Sequence, residues 1–203
     1  MAKPKVKAII FDLGGVILHG GYLDFIKHYC HACLTPAGQK RISELERRVN
    51  LGDLTEHQFY REIEKVFDVH LTPQEMHNVI VNQMSTDQGL LHLIPKLKKT
   101  KIALFTNSIN HMAQDVIRLR RIPTKKLFDK VFVSSELHLV KPDRKAYSYV
   151  LKKLKVKPVE ALMVDDRLEN IRGARKLGIQ GIVYKNFRQF KRELKKYELW
   201  KEN

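Results

Sequence analysis

Two cysteines, one tryptophan and the absence of any long apolar run limit the classes to which this 203-residue chain can belong. Two cysteines cannot build the disulfide framework of a small secreted domain, and they are typical of a protein in the reducing cytoplasm. The longest apolar runs have the length of a strand and not of a transmembrane helix. The segment before Asp12 lacks the apolar stretch of a secretory signal. These absences predict a cytoplasmic protein without a membrane span.

Acidic residues are also scarce, with 22 Asp and Glu against 38 Lys and Arg, and they are unevenly distributed. Residues 20–86 hold 9 of the acidic and 7 of the basic residues, so the remainder carries 13 acidic and 31 basic residues, a net charge of +18. Basic runs lie at 96–101, 152–155 and 191–196. They indicate either attraction for nucleic acid or another polyanion, or solvated outer helix faces. We favour the second interpretation, because no aromatic residues alternate with these basic runs.

Two apolar runs each end in carboxylates. Ile9-Ile10-Phe11 leads to Asp12, and residues 161–164 lead to Asp165-Asp166. A carboxylate at the end of a buried strand is costly to desolvate unless a cation or hydrogen bonds hold it. Because ligands bind at the carboxyl edge of an open parallel sheet, the pattern predicts a divalent-metal site there.

Two more segments of the same kind lie between these carboxylates. The run 101–105 leads to Thr106-Asn107, and the segment after 131–133 leads to Lys141-Pro142-Asp143. The ordered set of Asp12, Thr106-Asn107, Lys141 and Asp165-Asp166 with Asn170 resembles the four motifs of the haloacid dehalogenase-like hydrolase superfamily. The resemblance covers almost the whole chain, and most members of that superfamily are magnesium-dependent phosphatases.

The resemblance implies a role for each of these residues. Asp12 would be the nucleophile that becomes an aspartyl-phosphate. Mg²⁺ would be bound by Asp12, the backbone carbonyl of Gly14, Asp165 and Asp166, since it prefers oxygen ligands. Lys141 would supply a fixed positive charge, and Thr106 and Asn107 would donate hydrogen bonds to the phosphoryl oxygens. Asn170 would orient its neighbours. The implied function is hydrolysis of a small phosphorylated metabolite.

Gly14 departs from the family pattern. Family phosphatases carry an aspartate two residues after the nucleophile, and it acts as the general acid and base. A group of this kind typically contributes 10²- to 10⁴-fold to the rate. Dehalogenases of the superfamily also lack it but need no metal, so the pair Asp165-Asp166 argues against dehalogenation. The alternative is a catalytically weakened relative that binds phosphate or RNA. His19 is the nearest residue in the sequence able to transfer a proton, and Gly14 is a candidate for a positive φ.

The periodicity predicts an α/β protein with a parallel sheet covered by helices on both faces and a helical insert. The resemblance implies that the core is a Rossmann-like, doubly wound sheet and that the insert is an α-helical cap. Strands are predicted at 6–12, 101–106, 130–134, 160–164 and 180–184. Helices are predicted at 88–98, 110–120, 142–154, 168–177 and 186–198. Residues 1–19 and 87–203 would form the core, and residues 20–86 the cap. Helices of the cap are predicted to begin after Thr55 and Thr72, which have capping-box spacing.

Two features of the predicted cap leave alternatives open. Cys30 and Cys33, with His28 and His31 beside them, have ligand types suited to zinc. We favour buried structural cysteines in a packed helix, because no second pair of ligands follows downstream. Substrate specificity would reside in the cap, where the candidates without an assigned geometry are Arg41, Arg47, Arg48, His57 and Arg61.

Overall fold

The computed structural model describes residues 5–97 and 100–200, without the side chains of Leu23 and Asn110. Lys98 and Lys99, within the basic run at 96–101, lie outside the described residues, as does the end of the helix predicted at 88–98. Within the described ranges, no helix combines the length and the apolar character needed to cross a membrane.

The strands and helices alternate after residue 100, as the periodicity predicts. The strands are β1 (Ala8–Phe11), β2 (Leu18–His19), β3 (Ser85–Thr86), β4 (Lys101–Thr106), β5 (Lys130–Val133), β6 (Ala161–Asp165) and β7 (Gln180–Val183). The helices are α1 (Tyr22–Tyr29), α2 (Pro36–Leu51), α3 (Glu56–Phe67), α4 (Pro73–Gln83), α5 (Gln88–Leu93), α6 (Asn110–Leu119), α7 (Thr124–Leu127), α8 (Ser134–Leu137), α9 (Arg144–Leu154), α10 (Leu168–Lys176) and α11 (Phe187–Lys195). Short 3₁₀ helices lie at His31–Leu34, Ile94–Leu97 and Pro158–Glu160.

Within the part of the chain that the structure describes, five strands form one parallel sheet in the order β5-β4-β1-β6-β7. The predicted doubly wound parallel core is therefore confirmed. β1 lies at the centre, paired with β4 on one side and with β6 on the other. Since the carboxyl ends of parallel strands share one edge, the residues that follow β1, β4 and β6 adjoin one another.

Both faces of this sheet are buried, because successive side chains of a strand point to opposite sides. In β1, Ile9 and Phe11 belong to one apolar cluster, and Ala8 and Ile10 belong to a second cluster on the opposite face. The first cluster includes Phe190 of α11, and the second includes residues of α9 and α10. Helix packing on both faces explains why the strands read as continuous apolar runs.

Helices α1 to α4 lie between β1 and β4 in the chain and pack around an apolar cluster of their own. Ile109, at the start of α6, also belongs to this cluster and joins it to the rest of the protein. β2 and β3, which flank the helical insert in the chain, pair antiparallel at its base as a two-stranded sheet that the sequence did not predict. The assignment of residues 20–86 to a separate cap stays a prediction.

The predicted starts of two of these helices are confirmed. Thr55 and Thr72 each accept a hydrogen bond from the backbone N–H three residues later, and the side chains of Gln58 and Glu75 return the bond to the capping backbone. This reciprocal arrangement satisfies two N–H groups that a helix start otherwise leaves unpaired. The sequence spacing is enough to predict these helix starts, because each capping residue and its hydrogen-bond partner lie within four residues of each other.

Cys30 and Cys33 are joined by a disulfide, and both residues are buried. The sequence predicts no disulfide framework, and this single bond joins two cysteines only three residues apart in the chain. The bonded sulfurs offer no thiolates to a metal, and both His28 and His31 are exposed. The arrangement agrees with the interpretation of these cysteines as structural residues within the packed helical insert.

Candidate active site

Asp12 follows β1 directly and points into the carboxyl edge of the sheet, where its side chain is almost fully buried. Its Oδ1 accepts a hydrogen bond of 2.7 Å from the N–H of Leu13 and lies 2.9 Å from Nζ of Lys141. These contacts hold the carboxylate in one orientation. Its position at the end of a buried strand is the one that the apolar run predicts.

Lys141 is fully buried and connects two carboxylates, since its Nζ also lies 2.7 Å from Oδ2 of Asp165. The backbone of Lys141 is held by Asn107, whose Nδ2 donates to the Lys141 carbonyl at 2.8 Å. Oδ1 of Asn107 accepts from the Lys141 N–H at 2.9 Å. The amide of Asn107 is therefore engaged with the lysine loop, and its availability to a phosphoryl group stays a prediction.

Asp165 ends β6 and accepts a dense set of hydrogen bonds. Nδ2 of Asn170 contacts its two oxygens at 3.0 and 3.1 Å, and the N–H of Arg167 contacts Oδ1 at 2.9 Å. Tyr147 donates in turn to the backbone carbonyl of Asn170 at 2.7 Å. Asn170, in the first turn of α10, thus orients the carboxylate that precedes this helix.

Asp166 completes a cluster of three carboxylates with Asp12 and Asp165. One oxygen of each lies within 4.8 Å of the others, an arrangement that could hold a metal ion. Asp166 packs against the backbone of Gly15, which has a φ of 71°. Gly14 has no positive φ, and a side chain at Gly14 would face open space, so the suggestion of a positive φ there is wrong.

The electrostatics of the cluster favour a bound cation. Burial raises the pKa of Asp12 to about 7, against the opposing effect of Lys141. Burial followed by the charge of Asp165 raises the pKa of Asp166. Burial also acts to raise the pKa of Asp165, but Lys141 and the hydrogen bonds outweigh it and hold this pKa below its usual value. Burial acts to lower the pKa of Lys141, but the two adjacent carboxylates raise it.

The donor set suits a hard divalent cation. Three ionised carboxylates facing one ammonium group leave two negative charges uncompensated, and a divalent ion would balance them. Carboxylate and carbonyl oxygens are the ligands that Mg²⁺ prefers, and Gly14, two residues after Asp12, has a backbone carbonyl and open space where a side chain would lie. The residues present therefore fit the magnesium site that the sequence predicts.

Thr106 and Ser134 are both buried at neighbouring strand ends. Thr106 ends β4, beside the loop that holds Asn107. Ser134 follows β5, and its Oγ accepts a 3.1 Å hydrogen bond from the N–H of Ser108. Sequence reasoning missed Ser134, although a polar residue directly after a buried strand was the signal that identified the other sites. Its contact fixes the loop that follows Thr106.

His19 contacts Asp87 and Tyr184. Its Nε2 lies 3.7 Å from Oδ2 of Asp87, and its ring stacks on Tyr184 at a centroid distance of 6.3 Å. The Tyr184 hydroxyl donates a short hydrogen bond to the same Asp87 oxygen. These contacts hold the end of β2 next to the residues that follow β3 and β7. A role for His19 in proton transfer stays a prediction.

The family model described as haloacid dehalogenase-like hydrolase matches residues 6–178. A phosphorylated carbohydrates phosphatase from Thermotoga maritima is 25% identical over 87% of this chain and 84% of its own length. Drimenol cyclase from Aspergillus calidoustus is 24% identical over 93% of this chain, but the chain spans only 36% of that protein.

Solved structures share the fold. A predicted haloacid dehalogenase-like hydrolase from Porphyromonas gingivalis has a TM-score of 0.74 at 22% identity, covering 95% of this chain and 98% of its own. An enzyme of the same family from Bacteroides thetaiotaomicron, in complex with magnesium and inorganic phosphate, has a TM-score of 0.70 at 21% identity, covering 89% and 95%. At these identities the likeness establishes the fold alone.

Proposed function

This chain belongs to the haloacid dehalogenase-like hydrolase family, and on that premise we propose that it is a Mg²⁺-dependent phosphatase of a small phosphorylated metabolite. The observation that carries the proposal is the convergence of Asp12, Asp165 and Asp166 around Lys141 at one edge of the sheet. The phosphatase relative from Thermotoga maritima and the magnesium and phosphate complex of the Bacteroides enzyme support the same activity.

In the proposed reaction, a carboxylate oxygen of Asp12 attacks the phosphorus of the substrate. A bond forms between that oxygen and phosphorus while the bond to the leaving oxygen breaks, giving an aspartyl-phosphate. The leaving oxygen takes a proton from solvent. Water then attacks this phosphorus and loses a proton to solvent while the bond between Asp12 and phosphorus breaks, which releases inorganic phosphate and restores the Asp12 carboxylate. Lys141 stabilises the negative charge on the phosphoryl oxygens, and Thr106 and the neighbouring backbone supply hydrogen bonds.

Asp12, Asp165, Asp166 and the Gly14 carbonyl would hold the magnesium ion. When bound, Mg²⁺ neutralises phosphoryl oxygens and so reduces their repulsion of an anionic nucleophile. Asn170 and Lys141 orient Asp165 for this task through the hydrogen bonds that they donate to it. Asp166 is positioned by its packing against Gly15.

We propose that residues 20–86 act as a cap that excludes water and contacts the leaving group. Arg47 of α2 pairs with Asp143 at 2.9 Å, and Nδ1 of His138 lies 2.7 Å from the carbonyl of Leu51. Arg120 of the core donates to the carbonyl of Asn82 at 2.7 Å. These contacts support a closed arrangement of the insert over the carboxyl edge of the sheet.

The alternative is a weakened relative that binds phosphate or RNA without turnover. Gly14 in place of the usual aspartate and the net charge of +18 outside residues 20–86 favour it. The basic surface alone does not decide between the two, because exposed lysines also serve solubility.

Phosphate release over a panel of sugar phosphates and nucleotides, with and without Mg²⁺, separates the two functions. Asp12→Asn keeps the shape of the side chain but removes the nucleophile, so turnover should fall roughly 10³-fold or more. Asp165→Asn should raise the Mg²⁺ concentration that half-saturates the enzyme. Asp53→Asn, at an exposed position in the insert, is the matched control and should change neither. Full activity of Asp12→Asn would eliminate the aspartyl-phosphate mechanism, and no release from any substrate would favour the binding protein.

A further inference from the structure

A cavity of about 650 Å³ lies between the loop that begins α9 and the side of α10. Residues 142–144 line it from the loop, and residues within 169–177 line it from α10. These two walls are in close contact, because a Cβ added to Gly173 would lie 2.7 Å from Cβ of Pro142. Among the described residues that line this α9–α10 cavity, none belongs to the carboxylate cluster of the candidate active site.

Three cations line the α9–α10 cavity without a partner of opposite charge. Arg144 begins α9, and Arg172 and Lys176 lie one turn apart on α10. Because residues four apart on a helix are neighbours, the last two face the same side. In the part of the chain that the structure describes, no hydrogen bond or ion pair engages any of these three side chains. All three are exposed, so a ligand from solvent can reach them.

The acidic residues of the cavity are neutralised from outside it. Asp143 pairs with Arg47 of α2 at 2.9 Å, and Glu169 pairs with Arg167 at 3.0 Å. Both arginines lie outside the set of described residues that line the cavity. The three cations therefore keep an uncompensated positive charge, which favours a multiply charged anion as the ligand.

The start of α9 adds to this positive charge. α9 has 11 residues, and the side chain of Asp143 directly before it makes no capping hydrogen bond. That carboxylate is paired with Arg47 instead. The first N–H groups of a helix carry a partial positive charge and commonly bind phosphate groups. The helix start and the cations therefore favour the same kind of ligand.

The arginines that the sequence suggested for specificity differ from the cations of the cavity. Arg41 pairs with Glu44 at 3.9 Å, and Arg61 pairs with Glu64 at 2.9 Å. A cation that already has an acidic partner gains less from an anionic ligand, because the partner has compensated part of its charge. The charges best placed to bind an anion therefore lie on α9 and α10 and not on the insert.

From these observations we propose that the α9–α10 cavity is a second ligand site, which binds an organic molecule carrying a diphosphate group. A diphosphate group spreads several negative charges over two phosphorus centres, so cations on two different elements can contact it together. The guanidinium groups of Arg144 and Arg172 suit its oxygens, because each can donate two parallel hydrogen bonds. Pro142 and Leu177 provide uncharged surface for the organic part. The volume of the cavity also lies within the range of about 300–1,000 Å³ that is usual for small-molecule sites.

The test is calorimetric titration of the full chain with butyl diphosphate and with inorganic diphosphate in metal-free buffer. Without a cation the carboxylate cluster repels anions, so the titration reports on the cavity and involves no turnover. Butyl diphosphate should bind more tightly than inorganic diphosphate, although it carries less charge, because its alkyl chain covers apolar surface. Arg172→Gln and Lys176→Gln together should weaken the binding of butyl diphosphate by roughly tenfold or more.

Lys125→Gln combined with Lys126→Gln is the matched control. Both lysines are exposed in α7, outside the cavity, and the double substitution removes the same charge. Binding of butyl diphosphate should stay within about twofold of the wild type, because distant exposed charges are screened. The melting temperature of both double variants is compared with that of the wild type, and phosphate release from the substrate panel should be unchanged in both.

Equal losses of affinity in the two double variants would assign binding to overall net charge and overturn the proposal, as would the absence of binding. Inorganic diphosphate binding as tightly as butyl diphosphate would overturn the assignment of an organic ligand. Slower phosphate release in the α10 double variant alone would make the cavity part of the catalytic site and overturn its separate role. None of these outcomes decides the proposed phosphatase function, which Asp12→Asn tests.

Discussion

Gly15 and Asp166 are in direct contact, and a Cβ added to Gly15 would overlap the Asp166 carboxylate. The neighbouring Gly14 has open space where its own Cβ would lie. Two adjacent glycines of the loop after β1 therefore have different roles. Gly15 permits Asp166 to approach the loop, and Gly14 leaves empty the position where related phosphatases carry an acid.

Gly15→Ala should weaken Mg²⁺ binding by roughly tenfold or more, because it displaces Asp166 and strains a residue with φ of 71°. Gly14→Ala is the matched control and should bind Mg²⁺ like the wild type. Isothermal titration calorimetry of both variants measures the difference. Equal affinity in the two variants would show that Asp166 does not contribute to the metal site.

Gly14→Asp should raise turnover on alkyl phosphates by about 10²-fold if the new carboxylate reaches the leaving oxygen. The wild type should be slow on these substrates and much faster on aryl, acyl or anomeric phosphates, whose leaving groups depart without full protonation. Open space and the absence of a positive φ at Gly14 remove the steric objection to this substitution.

A wild type already fast on alkyl phosphates, and unimproved by Gly14→Asp, would show that another group transfers the proton. His19→Ala is then the first variant to measure. His19 contacts Asp87 and Tyr184, so the substitution could also loosen the pairing of β2 and β3. The melting temperature of the His19→Ala variant is therefore compared with that of the wild type, which distinguishes this structural effect from the loss of a proton donor.

Mg²⁺ affinity should fall as the pH is lowered through 7. Burial raises the pKa of Asp12 to about 7, so below that pH the metal-free site holds a proton that the cation must displace. The apparent Kd should therefore rise by about tenfold per pH unit between pH 7 and 5, and little between pH 8 and 9. Calorimetry in buffers of different ionisation enthalpy reports the released proton. Asp12→Asn should bind more weakly, and an unchanged pH dependence in that variant would assign the proton to another group.

Replacing residues 22–83 by a short linker should leave a folded core that binds Mg²⁺ but discriminates poorly among substrates. The linker leaves β2 and β3 in place, because these strands are paired and Asp87, directly after β3, donates its N–H to the carbonyl of Ile17, directly before β2, at 2.9 Å. Circular dichroism and Mg²⁺ titration measure folding, and the substrate panel measures discrimination. A core that cannot fold would show that Ile109 and its apolar neighbours need the insert for their burial.

Several features were predictable from the sequence because their causes are local. An apolar run buried on both faces identifies β1, β4 and β6, and the polar residue that ends each run locates the site along the chain. The capping partners of Thr55 and Thr72 lie three residues away. The order of the motifs also indicated the family before any distance between their side chains was known.

The tertiary structure decided the relationships between residues far apart in the chain. Asn107 and Lys141 are 34 residues apart, and their pairing depends on the order β5-β4-β1-β6-β7, which brings their loops to one edge. The different surroundings of Gly14 and Gly15 depend on Asp166 arriving from β6. By itself the sequence determined, through strand burial and motif order, which residues end the strands at the carboxyl edge of the sheet. Only tertiary packing decided which of them touch, because such contacts join segments that no short-range interaction relates.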